Sequence, residues 1–186
     1  MRIISGEFKG RQLKTPDFEG TRPMTDKARG ATFDILGAEV EGAKVLDCFA
    51  GTGAVGIEAL SRGASHASFV DLSSRATALI RQNLGLLGLI ERAKIYSEDA
   101  GKFVRRESEL VAKGAPDYQL AFYTPPYRNF DWDFLPLFVP LLATNATLVA
   151  EKDKFMRVEQ PVYANLTLWE RKQYGDTELY FFVKVG

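Results

Sequence analysis

The stretch KVLDCFAGTGAVGIEALSRGA, residues 44–64, constrains the fold more than any other segment. It sets a short apolar strand, a glycine turn and an apolar helix in immediate succession. A strand that feeds a helix without a hairpin partner is the building unit of a parallel sheet, whose crossovers place helices over both faces. The alternation continues. ASFVDLS predicts a second strand, with Ser73 or Ser74 capping a helix whose apolar positions are Ala76, Leu79, Ile80, Leu84 and Leu87. AKIYSED predicts a third strand, followed by a helix through GKFVRRESELVAKG. YQLAFYT predicts a fourth, followed by a helix near DFLPLFVPLL that Pro136 and Pro140 must shorten or kink, and ATLVAEK predicts a fifth. NLTLWERKQYG and TELYFFVKV meet at Gly175-Asp176 with no helix between them, which predicts a closing antiparallel hairpin.

Ahead of this run, RIISGEFKGRQLKT predicts a small hairpin. Thr25 or Asp26 then caps a helix with apolar positions Ala28, Ala31, Ile35 and Leu36. The expected organisation is an arm over residues 1–40 and an α/β domain over residues 41–186. A chain of 186 residues has room for one such domain and an appendage, not for two full cores. No apolar run approaches the ~20 residues that span a bilayer, and the first residues lack a signal-peptide pattern, so a cytoplasmic protein is expected. One cysteine, Cys48, and one histidine, His66, give no zinc spacing, and no metal is expected.

Ligands of open parallel sheets sit beyond the carboxyl ends of the strands. Asp47, Gly51, Gly53, Asp71, Asp99 and Thr124 all fall at such ends. Gly51, Gly53 and Gly56 satisfy the dinucleotide pattern GxGxxG, and Asp71 ends the next strand, where a carboxylate can accept ribose hydroxyls. Each residue alone has an ordinary structural use, in a tight turn or a helix cap; their joint placement points to a shared nucleotide-like ligand. Asp47 argues against a pyrophosphate, since it puts negative charge where the helix N-terminus would otherwise receive the phosphates. A ligand with an ammonium and a sulfonium, such as S-adenosylmethionine, gains from that charge. A nicotinamide cofactor is the competing reading.

DCFAGTGAVGIEALSRGA, VDLS, SEDA and YTPPY together resemble the Rossmann-like, S-adenosylmethionine-dependent amino-methyltransferases. MRIISGEFKGRQLKTP, TRPMTDKARGATFDIL and YGDTELYFF resemble, more narrowly, the RsmD family, which methylates the exocyclic amine of a guanine in bacterial 16S ribosomal RNA. The resemblance implies a mostly parallel seven-stranded sheet with a C-terminal antiparallel hairpin. It implies that Asp47, Gly51 and Gly53 surround the methionine part of the cofactor, that Asp71 with Leu72 holds its ribose side, and that Asp99 with Ala100 faces its adenine. Thr124, Pro125, Pro126 and Tyr127 would form the target-base site, and Arg22, Thr25, Asp26, Tyr127 and Arg128 would meet RNA, which the resemblance places within the small ribosomal subunit. Two positions depart from the family pattern: Gly30 stands for a glutamate and Thr124 for Asp or Asn.

The second departure touches the chemistry. An exocyclic amine is a poor nucleophile, and its N–H groups need acceptors as positive charge develops on nitrogen. The carbonyl of Pro125 is one acceptor; the residue before it normally supplies the other. Thr124 has a shorter, neutral oxygen, and losing one well-placed acceptor costs ~3–4 kcal/mol of barrier. Three outcomes are open: a slower enzyme, an amine held differently, or an RNA-binding assembly factor without turnover. An adenine or DNA amino-methyltransferase is a further alternative. Phe130 and Trp132 extend a possible stacking surface beside Tyr127. Net charge is zero, although residues 1–29 hold seven basic against four acidic side chains. That balance suggests a partner offering shape as well as phosphate, such as an assembled subunit.

Overall fold

Side chains alternate along the central strands and bury both faces of one sheet. In β4 (Tyr118–Tyr123), Leu120 and Phe122 join one core cluster while Ala121 and Tyr123 join the other. In β7 (Thr177–Lys184), Leu179 and Phe181 oppose Tyr180 and Phe182 in the same way. The structure is a computed structural model, and it describes residues 1–15, 24–111, 118–156 and 158–186. Strands β1 (Lys44–Cys48), β2 (His66–Asp71), β3 (Ala93–Ser97), β4, β5 (Leu142–Asp153), β6 (Leu166–Tyr174) and β7 form a seven-stranded sheet in the order β3-β2-β1-β4-β5-β7-β6. The first five are parallel; β7 runs antiparallel to β5 and β6. This is the expected α/β architecture, with the closing hairpin on one edge.

Helices α1 (Asp26–Leu36), α2 (Ala54–Ser61) and α3 (Ser74–Leu87) pack with one face; α4 (Ala100–Val111) packs with the other. Thr25 caps α1 by accepting from the Ala28 amide, and Ser73 caps α3 by accepting from Ala76. Pro136 and Pro140 hold Trp132–Leu141 in 3₁₀ geometry where a helix was expected, because each proline removes an amide donor from the i−4 ladder. The N-terminal hairpin is minimal: one bridge pairs Arg2 with Gln12. Ile3 and Leu13 of this segment share a core cluster with Val45 and Phe122 of the sheet.

The inner face of α1 departs from the expected stripe. Ala31 and Ile35 are half-buried, and Arg29 and Phe33 are buried in their place. Arg29 is fully buried because its guanidinium is paired: Nη2 donates to the Arg2 carbonyl (2.6 Å) and to Asp26 Oδ1 (3.1 Å). Gly30 lies on the same face, where an added Cβ would meet only Ile4 at 3.6 Å, an ordinary contact. Gly30→Ala is therefore expected to stabilise the protein by about 1 kcal/mol, the helix-propensity difference. A melting temperature rise of ~2–4 °C would follow; no rise in a thermal melt would contradict it.

Candidate active site

A cavity of about 900 Å³ opens at the carboxyl ends of the central strands. Its walls come from the loop after β1, the start of α2, the ends of β2 and β5, the start of α4 and the turn after β4.

The glycine loop builds one wall. Gly51 and Gly53 both take positive φ (54° and 75°), the left-handed region that a side chain disfavours. At Gly53 a Cβ would also come within 2.9 Å of Ile80, and at Gly56 within 2.3 Å of the Phe69 ring. These glycines let α2 lie against β2 and α3. Asp71 ties the loop down: Oδ2 accepts from the Gly51 amide (2.8 Å) and Oδ1 from the Ser73 amide (2.8 Å). A carboxylate has about four acceptor positions, so Asp71, which lines the cavity, keeps capacity for a ligand's hydroxyls. Gly51 lines the cavity too. Gly53 lies behind it.

Asp47 also lies behind the cavity wall, 1% exposed. Its Oδ2 accepts from the Gly56 amide in the first turn of α2 (2.9 Å), and its Oδ1 has no hydrogen-bond partner. Burial, only partly offset by the Gly56 bond, pushes its pKa up to about 8 from an ordinary 3.8, and the nearby Asp71 adds to the rise. The folded state thus holds a proton that the unfolded chain releases above ordinary carboxylate pH. Stability contributed by this proton is complete below the unfolded value and is lost as pH rises through about 8. Asp47→Asn mimics the protonated form. It is expected to melt above the parent protein at pH values near 8 and to converge with it in acid; a variant that melts below the parent at alkaline pH would contradict this.

Further round the rim, Leu72 is 73% exposed although apolar, and it faces the cavity with Asp99 and the buried Ala100. Asp99 Oδ1 accepts from the Lys102 amide (2.9 Å), so it caps α4 with one oxygen while lining the cavity.

The turn after β4 forms the opposite wall. Thr124, Pro125, Pro126, Tyr127 and Arg128 all line it. The Thr124 hydroxyl donates to the Cys48 carbonyl (3.3 Å), which occupies its proton and leaves oxygen lone pairs. The Tyr127 hydroxyl donates to Glu151 Oε1 (3.3 Å) and shares a bond with Thr177 Oγ1 (3.1 Å). Phe130 and Trp132, expected as stacking groups, are instead core residues, 7% and 6% exposed. They pack edge-on against each other, with Tyr123 beside Phe130 and Tyr180 beside Trp132, because the 3₁₀ segment turns them under the sheet.

Sequence reasoning missed Met24, Phe49 and Glu151, which line the same cavity. Phe49 has φ 62° without being glycine, a conformation that costs energy and gathers at functional sites. Glu151, near the end of β5, is 4% exposed, and burial pushes its pKa up to about 7 despite the Tyr127 and Thr177 hydroxyls. Of the arm residues, Arg22 lies outside the described residues. Thr25 and Asp26 sit exposed at the start of α1, next to Met24 but not in the cavity wall.

The charges test what the cavity can hold. Among the described residues, Asp71, Asp99 and Glu151 line it against a single guanidinium, Arg128. Phosphates would be repelled by this set, whereas a cationic, adenosine-bearing molecule meets carboxylates for its hydroxyls and apolar surfaces at Leu72, Val55 and Phe49 for its ring. S-adenosylmethionine fits those terms. Nicotinamide dinucleotides do not.

Comparison with known proteins agrees with this geometry. Residues 1–183 match the family model described as Conserved hypothetical protein 95. YlbH of Bacillus subtilis, named for rRNA methyl transfer, is 35% identical over the full length of both chains. The ribosomal RNA small subunit methyltransferase D of Escherichia coli is 37% identical over 129 residues, 69% of this chain and 61% of that protein. Among solved structures, yhhF of E. coli, named as a methyltransferase, superposes with a TM-score of 0.83 at 28% identity, covering 99% of this chain and 97% of that one. A hypothetical protein of Thermus thermophilus superposes with 0.80 at 30% identity, covering 100% and 99%. Sheet order, glycine loop and full-length similarity agree, and the chain belongs to the Conserved hypothetical protein 95 family, the RsmD family of S-adenosylmethionine-dependent methyltransferases.

Proposed function

We propose that this protein transfers a methyl group from S-adenosylmethionine to the exocyclic N2 amine of a guanine in small-subunit ribosomal RNA. The observation that carries the reading is the two-sided cavity: carboxylates and a glycine loop on one wall, a proline-stiffened turn with a tyrosine on the other. Relatives named as small-subunit rRNA methyltransferases supply the substrate class.

In this reading Asp71 holds the ribose, Leu72, Asp99 and Ala100 border the adenine, and Gly51 and Gly53 shape the loop around the methionine part, with Asp47 beneath it holding the first turn of α2 through the Gly56 amide. The cofactor supplies an electrophilic methyl on sulfonium. The chain's own residues do the rest. Pro125 carries a carbonyl that no amide within the Pro-Pro turn can bond, and it accepts one N–H of the target amine. The Thr124 oxygen, its proton engaged by Cys48, faces the amine as an acceptor only. Tyr127 stacks on the extruded base and exposed Arg128 meets phosphate. Residues 1–40, with Arg22, Thr25 and Asp26, form the RNA- and cofactor-side arm; residues 41–186 are the transferase domain.

Small ribosomal subunits lacking the modification, incubated with tritiated S-adenosylmethionine, are expected to gain label at one guanine. Label on adenine, or on DNA in preference to RNA, would overturn the assignment. Cofactor and RNA binding without any transfer would make the protein an assembly factor. The assembled subunit is the proposed partner, in the cytoplasm and without a metal, because a chain of zero net charge has little general attraction for naked RNA. Among the described residues no helix is long and apolar enough to cross a membrane. Equal affinity for naked rRNA and for subunits across a salt titration would count against the assembled partner.

A further inference from the structure

Thr124 leaves the target amine without the longer side-chain acceptor, Asp or Asn, of the family pattern, and the neighbouring strand holds a carboxylate at the same end of the sheet. β4 and β5 run parallel with Tyr123 opposite Ala150. The next residue on each strand, Thr124 and Glu151, therefore reaches the same end of the sheet, and both line the cavity. Glu151 is 4% exposed. Among the described groups, only hydroxyls engage its carboxyl: Tyr127 donates to Oε1 (3.3 Å), and Thr177 stands beside it on β7. Among the described residues no lysine or arginine pairs with it; Lys152 next along the chain is bonded to Glu178 at 2.9 Å. A buried carboxyl left without a cation, in a cavity wall, is costly for the fold. Serving a cationic or proton-donating ligand repays that cost.

We infer that Glu151 is the anionic acceptor for the target amine, supplying the charge that the neutral Thr124 oxygen lacks. The inference rests on the methyl-transfer reading of the cavity. In the step, the amine lone pair forms the new N–C bond while the S–C bond breaks and leaves its electron pair on sulfur. The nitrogen becomes cationic with two hydrogens. The Glu151 carboxylate accepts one of these protons, giving a neutral methylamine and a neutral carboxyl, which returns the proton to solvent when product leaves. Burial holds the Glu151 pKa near 7, so the side chain exchanges protons readily at neutral pH. The groups facing it are Tyr127 from the turn and Thr177 from β7, with Asp153 further along its own strand.

The test measures methyl transfer to small subunits and S-adenosylhomocysteine affinity for the wild type, Glu151→Gln, Tyr127→Phe and the double variant. Glu151→Gln is expected to lower kcat by about a hundredfold, with KM for RNA and cofactor affinity within about threefold. The wild-type kcat is expected to rise with pH through about 7, and that rise is expected to vanish in Glu151→Gln; a rise that persists belongs to another group, such as Asp47, and would overturn the inference. The loss should recur in the Tyr127→Phe background, and adding Thr124→Asp to Glu151→Gln should restore at least about tenfold, since the charge returns on the adjacent strand. A kcat within about threefold of wild type would overturn the inference. So would a loss that disappears when Tyr127 lacks its hydroxyl and that Thr124→Asp does not rescue, which would make Glu151 a support for Tyr127 alone. If Glu151→Gln fails to fold, Glu151→Asp, which keeps the charge at shorter reach, is expected to retain the pH-dependent rise at reduced kcat, and a flat profile would overturn the inference. A wild-type protein that binds cofactor and RNA but transfers no methyl would also overturn it while leaving the cofactor site standing. One that binds no S-adenosylmethionine would instead bring down the proposed function.

Discussion

Asp71→Ala is expected to reduce S-adenosylmethionine affinity by two orders of magnitude or more. The carboxylate makes charge-assisted hydrogen bonds to the Gly51 and Ser73 amides, each 2.8 Å long. It is also the group placed to accept ribose hydroxyls. Hydrogen bonds to a charged group are worth about 1.5–3 kcal/mol each, and losing two ligand bonds corresponds to at least about 3 kcal/mol, a hundredfold in Kd. Loosening of the glycine loop adds to the loss, since the Gly51 amide then has no side-chain acceptor. Asparagine is not expected to rescue. Both carboxylate oxygens face amide donors, so one of them would face an NH₂ group instead. Calorimetric titration of the two variants measures this, and a Kd within about threefold of wild type would place the ribose elsewhere.

The second large effect is on stability. Glu58, 1% exposed on α2, accepts from the Ile4 amide (2.8 Å), the Ser5 amide (3.0 Å) and Arg62 Nε (2.8 Å), and lies 3.7 Å from Arg29 Nε. Alanine there orphans two amides and leaves the buried Arg29 guanidinium short of a counter-charge. Removing one partner of a buried charge cluster costs about 3–5 kcal/mol, which for a chain of this size lowers the melting temperature by roughly 6–20 °C. Asp34→Ala is the control. Asp34 also pairs with Arg62, at 3.2 Å, but its side chain is 76% exposed, and a pair of that kind is worth about 0–1 kcal/mol. Equal losses for the two variants would refute the role given to burial. The arm also reaches the active site. Met1 sulfur accepts from Arg29 Nη1 (3.4 Å) and stands 3.9 Å from the hydroxyl of Thr52, a cavity residue. Cofactor affinity is therefore expected to fall in Glu58→Ala even below its melting temperature.

The sheet was legible because alternation and strand–helix succession are local properties of the chain. Asp71, Asp99 and Thr124 were legible as candidates because strand ends are where such sheets place ligands. Arg29 was not. Its position on the inner face of α1 reads as an error of patterning until the Arg2 carbonyl and Glu58, on another helix, join the local Asp26 pair, and those contacts exist only in three dimensions. Phe130 and Trp132 misled for a related reason: adjacency to the TPPY turn suggested exposure, while the prolines of the following segment fold those rings into the core. Glu151 left no local signal, since an acidic residue near the end of a strand is commonplace. Its significance comes from the parallel register that sets it beside Thr124 and from the lack of a basic partner among the described residues.

The strand-end cavity is built for a cationic, adenosine-bearing methyl donor. Calorimetry of the wild-type protein with S-adenosylmethionine and with NAD, under identical conditions, tests this most directly. Saturable heat is expected with S-adenosylmethionine, competed by S-adenosylhomocysteine and abolished in Asp71→Ala, with no heat from NAD. No binding of S-adenosylmethionine, or equal binding of the dinucleotide, would contradict it.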